Sequence, residues 1–147
     1  MSQKKMLAEK AAYHFSEGYN CAQSVVLTMF EHWNGTNDLI PKVATAFGSG
    51  IGRCGLVCGA LTGGIMAISI KYGTNDTSLE KRLKTYEVTQ KFYKKFLQRH
   101  GSVKCQELIG YDLSNPEELK KAQETYVFDE KCTCFVRNAV EILFDLT

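Results

Sequence analysis

The chain contains six cysteines in 147 residues, at positions 21, 54, 58, 105, 132 and 134. That share is below the range of a disulfide-stapled scaffold. In a reducing compartment, cysteines in excess point to metal binding or redox work. The thiolate is both the nucleophile and the ligand, so position relative to fixed positive charge matters most. Cys21, Cys58, Cys105 and Cys132 each fall in the first turn of an expected helix, where unpaired N–H groups and about half a positive charge favour the thiolate. Arg53, Lys104 and Lys131 are neighbours that could add to this. Cys58 is the expected reactive sulfur. Cys54, in a glycine-rich loop, and Cys134, two residues past Cys132, are expected to be auxiliary. If the loop folds back, Cys54 and Cys58 could close as a dithiol switch.

Two chemistries suit four remote thiols. Thiol–disulfide exchange needs an attacking thiolate and a partner within about 4.4–6.8 Å, Cα to Cα. Metal or iron–sulfur binding needs up to four converging thiolates. There is no C-x-x-C, and the four positions lie 37, 47 and 27 residues apart, so helices must assemble any site. The dithiol reading makes Cys58, with Cys21, Cys105 and Cys132, the site of a thiol oxidoreductase or electron carrier. The second reading uses the same four as ligands of an iron–sulfur cluster or another metal. The third is a structural helical module with inert thiols that binds a protein partner.

Gly50–Gly55, GIGRCG, formally matches G-x-G-x-x-G, but it follows a helix-like segment with no βαβ pattern, so a dinucleotide fold is rejected. A tight loop feeding a helix is the expectation. The run from Leu56 to Ile70 is apolar, with Gly59, Gly63 and Ala67 spaced by four on one face. Glycine within a helix costs roughly 0.5–1 kcal/mol relative to alanine. Close approach of another backbone, or room for a group beside Cys58, would explain it. Gly55, Gly59 and Gly63 are therefore the candidate cofactor contacts, and the helix N-terminus could hold an anion or the edge of a flavin.

The rest of the chain reads as helices that position these residues. A first helix covers residues 4–17 and breaks at Gly18. Asn20 caps a second that begins at Cys21. Asp38 caps a short helix ending at Phe47, and the Leu56–Ile70 run is a buried central helix. Residues 78–100 form a long amphipathic helix with Leu79, Leu83, Tyr86, Tyr93 and Leu97 on one apolar face. Ser102 caps a short helix carrying Cys105, Pro116 opens another, and Asp129 caps a last one with Cys132 at its third position. Nothing alternates with period two. The expected fold is all-α, one domain over 1–147, a bundle of seven or eight helices.

The segments EGYNCAQSV, CGALTGG…KYG, GSVKCQELIGYDL and KCTCFVRNAVEIL, in this order, resemble the C_GCAxxG_C_C family, small bacterial and archaeal proteins described as redox-active. The likeness covers about residues 13–146. It places the family's four defining cysteines at Cys21, Cys58, Cys105 and Cys132 and its glycine signature at Cys58–Gly63, in the order Cys-Gly-Ala. Cys54 and Cys134 lie outside that framework. The resemblance implies redox activity and names no substrate.

A net charge of +2 argues against nucleic acid or membrane as partner. The lysines of the long helix read as a solvated face, and His14, His32 and His100 as surface or interface residues. The N-terminus lacks an apolar signal core, and the apolar run is shorter than a bilayer span. A cytoplasmic protein is expected, its partners a redox protein and a second copy of the chain.

Overall fold

Asn20 shows how local chemistry starts the helices here. Its side chain accepts from the Gln23 N–H at 2.9 Å while the Gln23 side chain accepts from the Asn20 N–H at 3.1 Å. This reciprocal cap fixes Cys21 as the first helical residue. The computed structural model describes residues 1–147 and is all-α. Its helices are α1 (Gln3–Ser16), α2 (Cys21–His32), α3 (Gly48–Ile51), α4 (Gly59–Tyr72), α5 (Leu79–His100), α6 (Cys105–Ile109), α7 (Pro116–Glu124) and α8 (Thr133–Leu146). A 3₁₀ segment, Lys42–Phe47, precedes α3, and a π turn, Phe128–Cys132, runs into α8. No helix is long and apolar enough to cross a membrane.

The glycines of α4 answer the question its sequence posed. A Cβ on Gly63 would collide with the Ala22 carbonyl oxygen and stand 2.8 Å from the Ala22 Cα. On Gly59 it would meet the Cys21 Cβ at 3.0 Å and the Ala22 nitrogen at 3.1 Å. The backbones of α2 and α4 touch, and only hydrogen fits between them. On another face Gly64 leaves the space filled by the Phe92 ring, so α4 also packs on α5 and on α8. Val25, Val26, Met29, Leu61, Ile68, Phe92, Phe96, Val136, Val140 and Leu143 complete the interior.

Four expectations about elements need correction. Ser102 does not cap the helix carrying Cys105: α6 starts at Cys105 with Lys104 as its N-cap and no side-chain cap. The apolar stripe of α5 is not the buried one: Val88, Phe92 and Phe96 face the core, whereas Leu79, Leu83, Tyr86, Tyr93 and Leu97 are exposed. The two stripes lie side by side on one helix, and tertiary packing chose the aromatic one. Pro41, not Asp38, precedes the 3₁₀ segment, which has no side-chain cap. Asp129 does not cap the last helix, because the chain is already helical at Val127 (φ −61°, ψ −39°) and winds through the π turn into α8. Cys132 therefore lies inside a continuous helix, where one widened turn re-aims its side chain.

The loop before Cys54 is more unusual than its glycines suggest. Ser49 (φ 56°, ψ 38°), Gly50 (φ 69°, ψ 49°), Ile51 (φ 68°), Gly52 (φ 55°, ψ 39°) and Arg53 (φ 67°) are all left-handed. α3 is in effect a left-handed turn. Such a conformation costs an L-residue roughly 1–2 kcal/mol, and a β-branched residue such as Ile51 is a true outlier there. Backbone bonds close the turn, Cys54 N–H to the Ile51 carbonyl at 2.9 Å and Leu56 N–H to the Gly50 carbonyl at 2.9 Å.

Candidate functional site

Leu56–Cys58 and Val103–Cys105 run antiparallel as a short bridge. The Cys58 N–H donates to the Val103 carbonyl at 2.8 Å, the Cys105 N–H to the Leu56 carbonyl at 2.6 Å, and Gln106 N–H to the Gly55 carbonyl at 3.1 Å. Two thiols 47 residues apart in sequence are thereby fixed on neighbouring segments. Gly50 seals this arrangement, because a Cβ there would lie 2.7 Å from the Cys105 Cβ and 2.6 Å from the Leu56 nitrogen. The close contact of Gly59 with Cys21 adds the third thiol, and the π turn adds the fourth.

Cys21, Cys58, Cys105 and Cys132 all line one cavity of about 370 Å³. Cys21 is half-buried and the other three are buried. Phe15, Leu108, Leu113, Phe128 and Phe135 form apolar wall, while Asn20, Arg53, Gln123 and Asp129 bring polar groups to it. Cys54 and Cys134 are exposed and outside the cavity. Of the glycines expected to contact a cofactor, Gly59 lines the cavity. Gly55 and Gly63 do not, Gly63 being occupied with the Ala22 backbone.

The thiols differ in electrostatics. Cys58 is the N-cap of α4 with no side-chain cap hydrogen bond, and the nearby Ala60 and Leu61 N–H groups favour its thiolate. Burial nevertheless outweighs these donors and lifts its pKa to about 11. The expectation that a helix N-terminus would activate Cys58 fails on this balance: desolvation of a buried thiolate exceeds what two N–H donors return. Burial likewise lifts Cys105 to about 12, helped by the other thiols. Cys21 and Cys132 line the same cavity and are electrostatically coupled. The neighbouring sulfur raises Cys21 well above its ordinary value, with burial adding to this, and lowers Cys132. Lys131 assists that lowering, while burial and Asp129 oppose it.

No group of three or more His, Cys, Asp or Glu side chains is arranged to hold a metal ion. The donor type suits a thiophilic metal or cluster, but the placement of these sulfurs does not make a ligand set. His14 is bound to Glu31, Nε2 to Oε1 at 2.7 Å, and His100 packs between the rings of Phe96 and Phe135. Neither reaches the cavity. Arg53 and Cys132 are expected near the site, whereas the cavity lining by Ser49 and Gly50 and the π conformation at Phe128–Cys132 are not. Only Gly50 and Gly52 signalled the turn, and nothing in the residue types signalled the π turn.

The family model of C_GCAxxG_C_C, described as "Putative redox-active protein", matches residues 19–146. The chain belongs to this family. A curated protein of Archaeoglobus fulgidus, described as an uncharacterized protein, is 31% identical over 118 residues, 74% of this chain and 78% of its own length. No solved structure matches the chain. The membership carries the redox label and adds no substrate or mechanism.

Proposed function

We propose that the protein performs thiol–disulfide exchange, with Cys132 as the attacking thiolate and Cys21 as the resolving thiol. What supports this reading is that Cys21 and Cys132 line one cavity and are coupled, the neighbouring sulfur raising Cys21 and lowering Cys132. A low-pKa attacker beside a second thiol is what exchange requires.

The Cys132 thiolate attacks one sulfur of a substrate disulfide, forming a mixed disulfide and releasing the other half as a thiolate. That thiolate takes the proton of Cys21. The Cys21 thiolate then attacks the Cys132 sulfur, closing the Cys21–Cys132 disulfide and expelling the second half, which takes a proton from water. The substrate gains two electrons and two protons; the protein supplies both electrons and one proton, and water supplies the other. A dithiol reductant reverses the change. Cys58 and Cys105, held protonated by burial, shape the cavity wall and keep water from the pair.

Anaerobically purified protein incubated with oxidised glutathione tests this reading, with thiol counting, metal analysis and peptide mapping. The expected result is metal-free, colourless protein that loses two thiols, joined as Cys21–Cys132, and regains them with dithiothreitol. Brown protein with iron and acid-labile sulfide would replace the reading with an iron–sulfur one. Cavity thiols that stay reduced until denaturation would replace it with a structural one.

A further inference from the structure

The exposed stripe of α5 has a regularity that its packing does not use. Leu79, Leu83, Tyr86, Gln90, Tyr93 and Leu97 follow one another at spacings of 4, 3, 4, 3 and 4, the heptad seam of a coiled coil. The five apolar members expose between 38% and 62% of their surface, and Gln90 is exposed among them. Val88, Phe92 and Phe96 fill the adjoining face, so the seam points away from the core. Ile70 of α4, 39% exposed, borders it beside Tyr86. The seam runs along a helix of 22 residues, about 33 Å long. Its apolar side chains leave on the order of 400 Å² open to water, the size of patch that marks an interaction site.

We infer that this seam pairs with the same seam of a second copy, the two α5 helices antiparallel about a two-fold axis. A two-fold contact requires a self-complementary surface, and the charges flanking the seam fit one orientation. Glu80 and Lys94 occupy the same flank, near opposite ends of the seam. Antiparallel pairing sets each Glu80 against Lys94 of the other copy, twice. It also carries the basic ends of the two helices, Lys91, Lys94, Lys95 and Arg99, to opposite ends of the pair, whereas parallel pairing would lay them side by side. The polar Gln90 within the seam can fix the register. About 800 Å² per partner is needed for a stable interface, and the seam with its flanking Glu80, Arg82, Glu87 and Lys94 is of that order. No residue of α5 lines the thiol cavity, so both cavities stay open in the pair and the inference does not depend on the redox reading.

Sedimentation equilibrium of the intact chain, at micromolar concentration and physiological salt, tests this. Wild type should have twice the monomer mass. Leu83→Glu should dissociate it, weakening association by about 100-fold or more because the change enters the interface twice, with unchanged helical circular dichroism because Leu83 is exposed. Glu80→Lys should weaken the dimer, and adding Lys94→Glu should restore it. A monomeric wild type, or a dimer indifferent to Leu83→Glu, would overturn the pairing. A dimer restored by exchanging Arg82 with Glu87 but not Glu80 with Lys94 would overturn its antiparallel sense.

Discussion

From Ser49 to Arg53 five consecutive residues are left-handed, three of them not glycine; from Leu79 to His100 twenty-two residues form one regular helix. The first region touches Cys105 and borders the thiol cavity, and close backbone contacts and a π turn support it nearby. The second follows helix propensity throughout and ends at Gly101, left-handed at φ 81° as a helix end favours. Strain of this kind persists where the surroundings over-determine it, and it gathers at functional sites. Here the cost falls on the segments that hold thiols in place, while α5 keeps both faces available for packing.

The contrast can be broken most severely at the glycines. Gly63→Ala should destabilise the fold by about 3 kcal/mol, lowering the melting temperature by roughly 10 °C, because the added methyl meets the Ala22 backbone rather than a mobile side chain. A loss below about 1 kcal/mol in calorimetry would show that α2 and α4 are less tightly apposed. Gly50→Ala should cost about 2 kcal/mol, from the left-handed backbone and the crowding against Cys105 together. Ile51→Gly should act in the opposite direction and stabilise by about 1 kcal/mol, since it releases a β-branched residue from φ 68°. On α5, Lys91→Ala removes the 3.1 Å pair with Glu87 and should leave the denaturation midpoint unchanged within error at physiological salt, because such exposed pairs contribute little.

Labelling kinetics sharpen the same comparison at the thiols. The exposed Cys54 and Cys134 should react with iodoacetamide without unfolding. Cys58 and Cys105 should resist until pH approaches about 11 and 12. The sign follows from burial, which holds both protonated and therefore unreactive below those values. Uniform labelling of all six at pH 8 would contradict the burial of the cavity.

Much of the α-helical frame was legible because its signals are local. Asn20 and Gln23 form their cap within four residues, Pro116 opens α7, and Gly101 closes α5. The four cysteines that line the cavity were singled out by position alone. What was not legible is non-local or hidden in residue type. The pairing of Leu56–Cys58 with Val103–Cys105 is too short to show period two. Ser49, Ile51 and Arg53 carry no mark of a positive φ. On α5 the aromatic face and the heptad seam both repeat at helical spacing, so periodicity could not choose which was buried. At Cys58 the N-terminal location was read correctly, yet the depth of burial that reverses its effect belongs to the tertiary structure.

The most direct test is the pH dependence of Cys132 alkylation, resolved by peptide mass in the intact protein and in Cys21→Ala. Cys132 should react with an apparent pKa below that of an ordinary cysteine, and removing the Cys21 thiol should move the value upward and slow labelling at neutral pH. A Cys132 that titrates at or above the ordinary value, or that is indifferent to Cys21→Ala, would contradict this.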